Sequence, residues 1–291
     1  MFFGSIPALV TPFSSGRVDE DTLRELVGWQ VEQGSDGLVP CGTTGESATM
    51  TGAEQKRVIE VTVEAAEGRI PVIAGCGSNS VAIAIDHMRA AKQAGADAAL
   101  IVMGYYNRPS QSGLVAAFKA MGEASELPII VYNIPGRAVV DILPETMAEI
   151  AKLPNIAGVK DATGNLGRVT AQRLACGPDF VQLSGNDETA LAFNIMGGVG
   201  CISVTANVAP KLCSDFQKAT REGRWEDAVK LQDRLFPLHM AMFTDASPAP
   251  AKYALSRVRP GFPTEVRLPL VEASPASKRA VDEALEHAGV I

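Results

Sequence analysis

The chain alternates short apolar, β-branched runs with longer stretches of helical periodicity, and this alternation constrains the fold more than any other feature. Eight runs stand out, at residues 6–10, 37–40, 70–74, 98–103, 129–133, 158–160, 180–183 and 201–204. Between them, residues 19–34, 52–68, 79–95, 114–125, 144–153, 169–177 and 187–197 have helical spacing with recognisable ends. Eight strand–helix units predict an α/β chain folded as a (β/α)8 TIM barrel, an architecture that takes ~250 residues. A doubly wound sheet is the competing arrangement and would carry a glycine-rich phosphate loop after its first strand. Residues 7–12 read Pro-Ala-Leu-Val-Thr-Pro instead, and the later Gly75-Cys76-Gly77 has Ser80 where the last glycine of the fingerprint belongs. Beyond Gly223 the strand signal stops and 224–243, 248–258 and 275–288 read as helices. The expected division is therefore a barrel over residues 1–223 and a helical C-terminal appendage over 224–291.

Rare residue types narrow the chemistry. The 291 residues hold three His, five Cys and four Tyr, with no Cys-x-x-Cys and no neighbouring His. Zinc, iron–sulfur and dithiol sites need such clusters, so no metal is expected, and the odd, scattered cysteines fit a reducing cytoplasm. Residues 1–13 lack a basic leader and include Pro7 and Pro12, which makes them a poor signal peptide. The longest wholly apolar stretch, near 98–103, is far short of the ~20 residues of a membrane helix. A net charge of −7 without a dense basic run argues against a nucleic-acid partner. The expectation is a cytoplasmic protein acting on small molecules.

In a barrel the chemistry sits at the C-terminal ends of the strands. The polar residues there are Cys41-Gly42-Thr43-Thr44-Gly45-Glu46, Gly104-Tyr105-Tyr106-Asn107, Tyr132-Asn133-Ile134-Pro135-Gly136-Arg137, Val159-Lys160-Asp161, Ser184-Gly185-Asn186 and Thr205-Ala206-Asn207. Of ten lysines only Lys160 lies in an apolar strand; the other nine, Lys252 among them, fall in or beside helical stretches where a solvated face accounts for them. A lysine in a barrel interior is disfavoured as the cation and supplies the neutral amine that attacks a carbonyl carbon. The alternative is a buried ion pair, although Asp161, the next residue in the strand, points to the opposite face. Tyr132 is either a proton shuttle or a packed tyrosine with a satisfied hydroxyl, and Thr43, Tyr105 and Tyr106 add hydroxyls on the same rim. Gly42-Thr43-Thr44-Gly45 is either a carboxylate cradle of hydroxyls and backbone N–H groups or a simple capped turn. Arg137, after the rigid Pro135-Gly136, is either a two-point carboxylate clamp or a partner for a neighbouring acid.

These motifs, together with Tyr105-Tyr106-Asn107-Arg108-Pro109, Gly158-Val159-Lys160-Asp161 and Ser203-Val204-Thr205-Ala206-Asn207, resemble the dihydrodipicolinate synthase family of the pyruvate-dependent class I aldolase and N-acetylneuraminate lyase superfamily. The resemblance runs over essentially the whole chain. It implies that Lys160 forms an imine with pyruvate and that Tyr132, Thr43 and Tyr106 relay protons, the last across a dimer interface. It further implies that Thr44 holds the pyruvate carboxylate, that Gly185 and Ile202 shape the far side of the site, and that Arg137 binds the carboxylate of aspartate semialdehyde. A homotetramer built as a dimer of dimers, no separate cofactor, and a role in lysine and diaminopimelate synthesis follow from the same resemblance. Competing readings are an aldolase for a 2-keto-3-deoxy sugar acid or 4-hydroxy-2-oxoglutarate, separated by testing aldehydes side by side, and a non-catalytic pyruvate-binding relative, which the intact Lys160, Tyr132 and Thr43 disfavour.

One departure from the family pattern has a measurable consequence. Feedback-inhibited relatives bind free lysine at a dimer interface with a glutamate at the place of Ile83 and a histidine at that of Gln55 or Gly52, while Ser47, Ala48, Asn79 and Tyr105 match their pocket. An isoleucine cannot pair with the lysine ammonium. Steady-state assays with added L-lysine are expected to show weak or no inhibition, and inhibition at micromolar lysine would contradict this.

Overall fold

The computed structural model describes residues 2–291; Met1, the first residue of the expected barrel segment, lies outside them. In chain order the strands are β1 (Gly4–Pro7), β2 (Phe13–Ser14), β3 (Arg17–Val18), β4 (Ile73–Gly75), β5 (Ala98–Val102), β6 (Ile129–Asn133), β7 (Ile156–Asp161), β8 (Val181–Ser184) and β9 (Gly200–Ser203). The α-helices are α1 (Glu20–Glu32), α2 (Gly52–Ala66), α3 (Val81–Gln93), α4 (Gln111–Ala124), α5 (Pro135–Ala138), α6 (Pro144–Ala151), α7 (Gly167–Cys176), α8 (Ala190–Ile195), α9 (Pro210–Arg221), α10 (Trp225–Ala241), α11 (Ala249–Val258) and α12 (Pro275–Ala288).

Seven strands form one parallel sheet in the order β1-β9-β8-β7-β6-β5-β4. The second expected run, 37–40, is not a regular strand. It makes only isolated bridges, Ala8 to Val39 on one side and Leu38 to Val72 on the other, and ends at Pro40, which has no N–H to donate. Leu9 N–H donates to Val39 O at 2.9 Å, Ile73 N–H to Leu38 O at 2.8 Å and Gly75 N–H to Pro40 O at 2.9 Å. Residues 38–40 thereby close the sheet into a barrel. The small antiparallel pair β2–β3 was not expected; two residues per strand leave no alternation to read, and its turn uses Ser15 and Gly16 at positive φ.

Period-two alternation separates two apolar layers. Ile6, Ala8, Val39, Ile73, Leu100, Ile130, Tyr132, Leu183 and Ile202 fill the barrel interior. Leu9, Val10, Ile101, Val131 and Val159 face outward into a continuous core with the helices, and that core also takes in Leu235, Leu238, Leu255, Val281 and Leu285 of α10, α11 and α12. Helix ends follow local chemistry: Asp19 caps α1 by accepting from Thr22 N–H at 3.0 Å, and Thr51 with Glu54 forms a reciprocal capping box on α2. Helix α9, which was not among the expected helical stretches, completes the eighth unit. It turns Cys213, Phe216 and Ala219, with Leu212 beside them, into the core and buries Gln217 and Thr220 on the same side.

Close backbone approach sets the closure. A β-carbon on Gly75 would lie 2.0 Å from Cys41 O and 2.8 Å from Gly42 N. Gly75→Ala must therefore push the 41–42 segment away from β4, and such overpacking costs about 1–3 kcal/mol. A lower urea midpoint is the expected outcome, and an unchanged midpoint would show that the seam is loose.

Candidate active site

The inward positions at the C-terminal end of the barrel define a cavity of about 310 Å³. Tyr132 on β6 and Lys160 on β7 are register partners, as are Lys160 and Leu183 on β8, so parallel pairing alone puts all three on one face. Lys160 Nζ lies 4.1 Å from the centroid of the Tyr132 ring. Both side chains are buried, and among the described residues no carboxylate stands within ion-pair distance of Lys160. Asp161 faces the other way: its Oδ2 accepts from Gln172 Nε2 at 2.6 Å and lies 3.5 Å from Arg168 Nε, while its Oδ1 accepts from Thr163 Oγ1 at 2.6 Å. Lys160 therefore stands on the cavity wall with its amine unpaired, and the ion pair with Asp161 that the sequence left open does not form.

The rim is built by three loops. Gly42 O accepts from Gly45 N–H and Thr43 O from Glu46 N–H, each at 3.1 Å, making a tight turn whose Gly45 backs against Leu9 O and Cys41 N. This buries Thr44 and leaves Thr43 exposed, with both lining the cavity. Arg137 sits in the short α5. The base of that loop is pinned by Asn133, which donates to Asp141 Oδ1 at 2.8 Å and accepts from Ile142 N–H at 3.1 Å, and Arg168 holds Asp141 at 2.8 Å. Arg137 itself is exposed and pairs with no carboxylate among the described residues, so its guanidinium is available to a ligand anion. On the third loop, a β-carbon at Gly185 would meet the Ala162 β-carbon at 2.7 Å, so glycine is needed to keep β7 and β8 loops together at the wall.

Two expected site residues are elsewhere. Ile202 pairs with Ile6 in the barrel interior and does not line the cavity, where Val204 does. Tyr106, at φ 72°, projects into solvent with 89% exposure, so a single chain does not bring it to Tyr132 and Thr43. Tyr105 lines a separate adjoining cavity of about 590 Å³, together with Ser47, Gln55, Asn79, Ile83 and half-buried His87. Thr43, Ile134 and Arg137 are shared between the two cavities.

Asn186, Phe243 and Ser247 also line the site cavity. Phe243 and Ser247 come from the connection between α10 and α11, which is tied down where Asp245 accepts from Ser274 N–H at 2.7 Å. Nothing in a strand-end survey points to residues from the helical tail.

The largest correction concerns Lys252. Its helical setting suggested a solvated face, but it is wholly buried and forms an ion pair with Glu46 at 2.6 Å. Burial pushes its ammonium below the usual lysine range, and the neighbouring Glu46 charge opposes that shift. Cys41 packs as a small apolar group, with burial holding its thiol far above the usual range, and the Cys76 thiol is pushed up to about 12 for the same reason. His239 is buried against Thr205 Oγ1 at 2.8 Å, on the outer side of the barrel.

Among the described residues no group of three or more His, Cys, Asp or Glu could hold a metal ion, and no helix is long and apolar enough to cross a membrane.

Comparison with known proteins gives a consistent result. The model of the dihydrodipicolinate synthetase family matches residues 1–288. The 4-hydroxy-tetrahydrodipicolinate synthase of Rhizorhabdus wittichii is 61% identical over 290 residues, covering 100% of each chain. Its counterpart in Zymomonas mobilis subsp. mobilis is 60% identical over 291 residues, again covering 100% of each. Among solved structures, the chloride-inhibited dihydrodipicolinate synthase from Acinetobacter baumannii complexed with pyruvate superposes with a TM-score of 0.97 at 42% identity, covering 100% of both chains.

Proposed function

The chain belongs to the dihydrodipicolinate synthetase family, and from that premise we infer that it condenses pyruvate with L-aspartate 4-semialdehyde, the reaction that gives 4-hydroxy-tetrahydrodipicolinate. It is a lyase of lysine and diaminopimelate biosynthesis. The observation that carries the chemistry is the unclaimed amine of Lys160 beside Tyr132 in a cavity sized for small acids.

In the reaction Lys160 Nζ attacks C2 of pyruvate; the carbinolamine loses water, giving an imine that covalently links substrate and enzyme. Loss of a C3 proton converts the imine to an enamine. Its C3 attacks the aldehyde carbon of the semialdehyde, and the aldehyde oxygen takes up a proton. The semialdehyde's own amine then adds to C2 and displaces Lys160, closing the ring and freeing the enzyme. Tyr132 moves protons to and from the carbinolamine oxygen, with Thr43 and Tyr106 extending the relay. The Thr44 hydroxyl and the turn around it hold the pyruvate carboxylate, Arg137 holds that of the semialdehyde, and Gly185 and Val204 shape the wall opposite. The covalent imine serves in place of a separate cofactor.

Tyr106 is exposed on one chain, which supports a working unit of more than one copy, and the reading adopted is a homotetramer made of two dimers in the cytoplasm. Residues 1–223 are taken as the catalytic barrel and 224–291 as its appendage.

Borohydride reduction in the presence of pyruvate, followed by peptide mapping, is expected to modify Lys160; modification elsewhere, or none, would remove the mechanism. Arg137→Ala is expected to raise the semialdehyde KM by about 10- to 100-fold, the worth of a charge-assisted contact of ~1.5–3 kcal/mol, while trapping of pyruvate at Lys160 persists. Unchanged semialdehyde kinetics in that variant would assign the second carboxylate to another group.

A further inference from the structure

Glu46 directly follows the turn that carries Thr43 and Thr44, and its backbone is left-handed, at φ 57°. That conformation suits glycine and strains a side-chain-bearing residue, so a glutamate there is held by its surroundings. Those surroundings are specific. Glu46 Oε1 accepts from Lys252 Nζ at 2.6 Å and Oε2 from Arg267 N–H at 2.9 Å, across 206 and 221 residues of chain. Lys252 Nζ also donates to Glu265 O at 2.6 Å. The Phe13 ring packs against both cations, with Lys252 Nζ 4.4 Å and the Arg267 guanidinium 4.3 Å from its centroid. Arg267 in turn donates to Thr49 O at 3.1 Å and to Glu54 at 2.6 Å, gripping the segment on the far side of the turn.

We propose that Glu46 is a positioning residue: clamped by Lys252 and the Arg267 backbone, it fixes the Thr43-Thr44 turn in the conformation that receives the keto-acid carboxylate. A fully buried ion pair is weak evidence for stability, because matched apolar residues often serve as well, but it imposes one geometry on the groups it joins. The geometry imposed here begins two residues from Thr44 and ends on α11, so the helical tail sets the shape of the site's anion cradle. Binding of a carboxylate by hydroxyls and backbone N–H groups depends on their being preorganised, and a turn freed from its anchor loses affinity for that ligand before it loses the chemistry at Lys160.

The inference rests on the assignment of pyruvate to Lys160 and Thr44, and the test separates the two. Wild type and Glu46→Gln are compared in pyruvate KM, semialdehyde KM, thermal midpoint and borohydride trapping over a range of pyruvate concentrations. Glu46→Gln is expected to raise the pyruvate KM by about tenfold, shift the trapping curve equally, and leave the semialdehyde KM within about twofold, with Lys160 still modified at saturating pyruvate. Lys252→Met is expected to give the same split. A lower thermal midpoint with unchanged pyruvate KM overturns the positioning role, as does failure of both variants to fold, which would make the pair an element of stability alone. Absence of trapping in the wild type overturns the pyruvate assignment itself, and the inference with it.

Discussion

A parallel sheet becomes a barrel only when its first and last strands find backbone partners, and here closure runs through three residues, 38–40, that make isolated bridges rather than a regular strand. The turn bearing Thr43 and Thr44 inherits its position from this seam. The segment leaves the ladder at Pro40 and enters the turn bearing Thr43 and Thr44, while Gly75 on β4 lies so close to Cys41 and Gly42 that no side chain fits between them. On the opposite side of the ring the longer pairing of β6 with β7 places Tyr132 beside Lys160 by register alone, because parallel partners share a face.

Two lysines are buried in this molecule, and their surroundings distinguish their uses. Lys252 meets a carboxylate, a carbonyl and an aromatic face, which satisfies the ammonium. Lys160 meets only an aromatic ring and an open cavity. The acids near Lys160 in sequence are engaged behind the sheet, where Asp161, Arg168, Gln172 and Asp141 form their own network around α7. Keeping Asp161 on that outer face leaves Lys160 without a counter-charge on the cavity side.

Strand alternation was legible because it is local. Residues 129–133 were expected and observed as one strand, and the C-terminal helices fall close to their expected limits. What escaped was set by distant contacts. The buried glutamine and threonine of α9 depend on neighbours such as Asn194, which donates to Gln217 at 2.8 Å. Lys252 reads as a surface lysine because the carboxylate that buries it is 206 positions away. Phe243 and Ser247 reach the cavity from the tail for the same reason. Of the site itself, Lys160, Tyr132, Thr43, Thr44, Arg137 and Gly185 converge on the cavity, since strand ends are predictable positions; Tyr106 does not, because the backbone turn at 104–108 directs it out of its own chain.

These long-range contacts change how the tail relates to the barrel. A helical appendage attached only by apolar packing could be repacked with little effect on the distant rim, since apolar surfaces tolerate volume-conserving exchange. Here the tail also presents one fully buried charge to the site turn and two residues to the cavity wall, and charge burial tolerates no such exchange without its partner. The core that joins α10, α11 and α12 to the outer layer of the barrel supplies the rigidity, and the Glu46–Lys252 pair converts that rigidity into a fixed position for the turn. The barrel sets where the amine stands, and the tail sets the cradle that would present a keto acid to it.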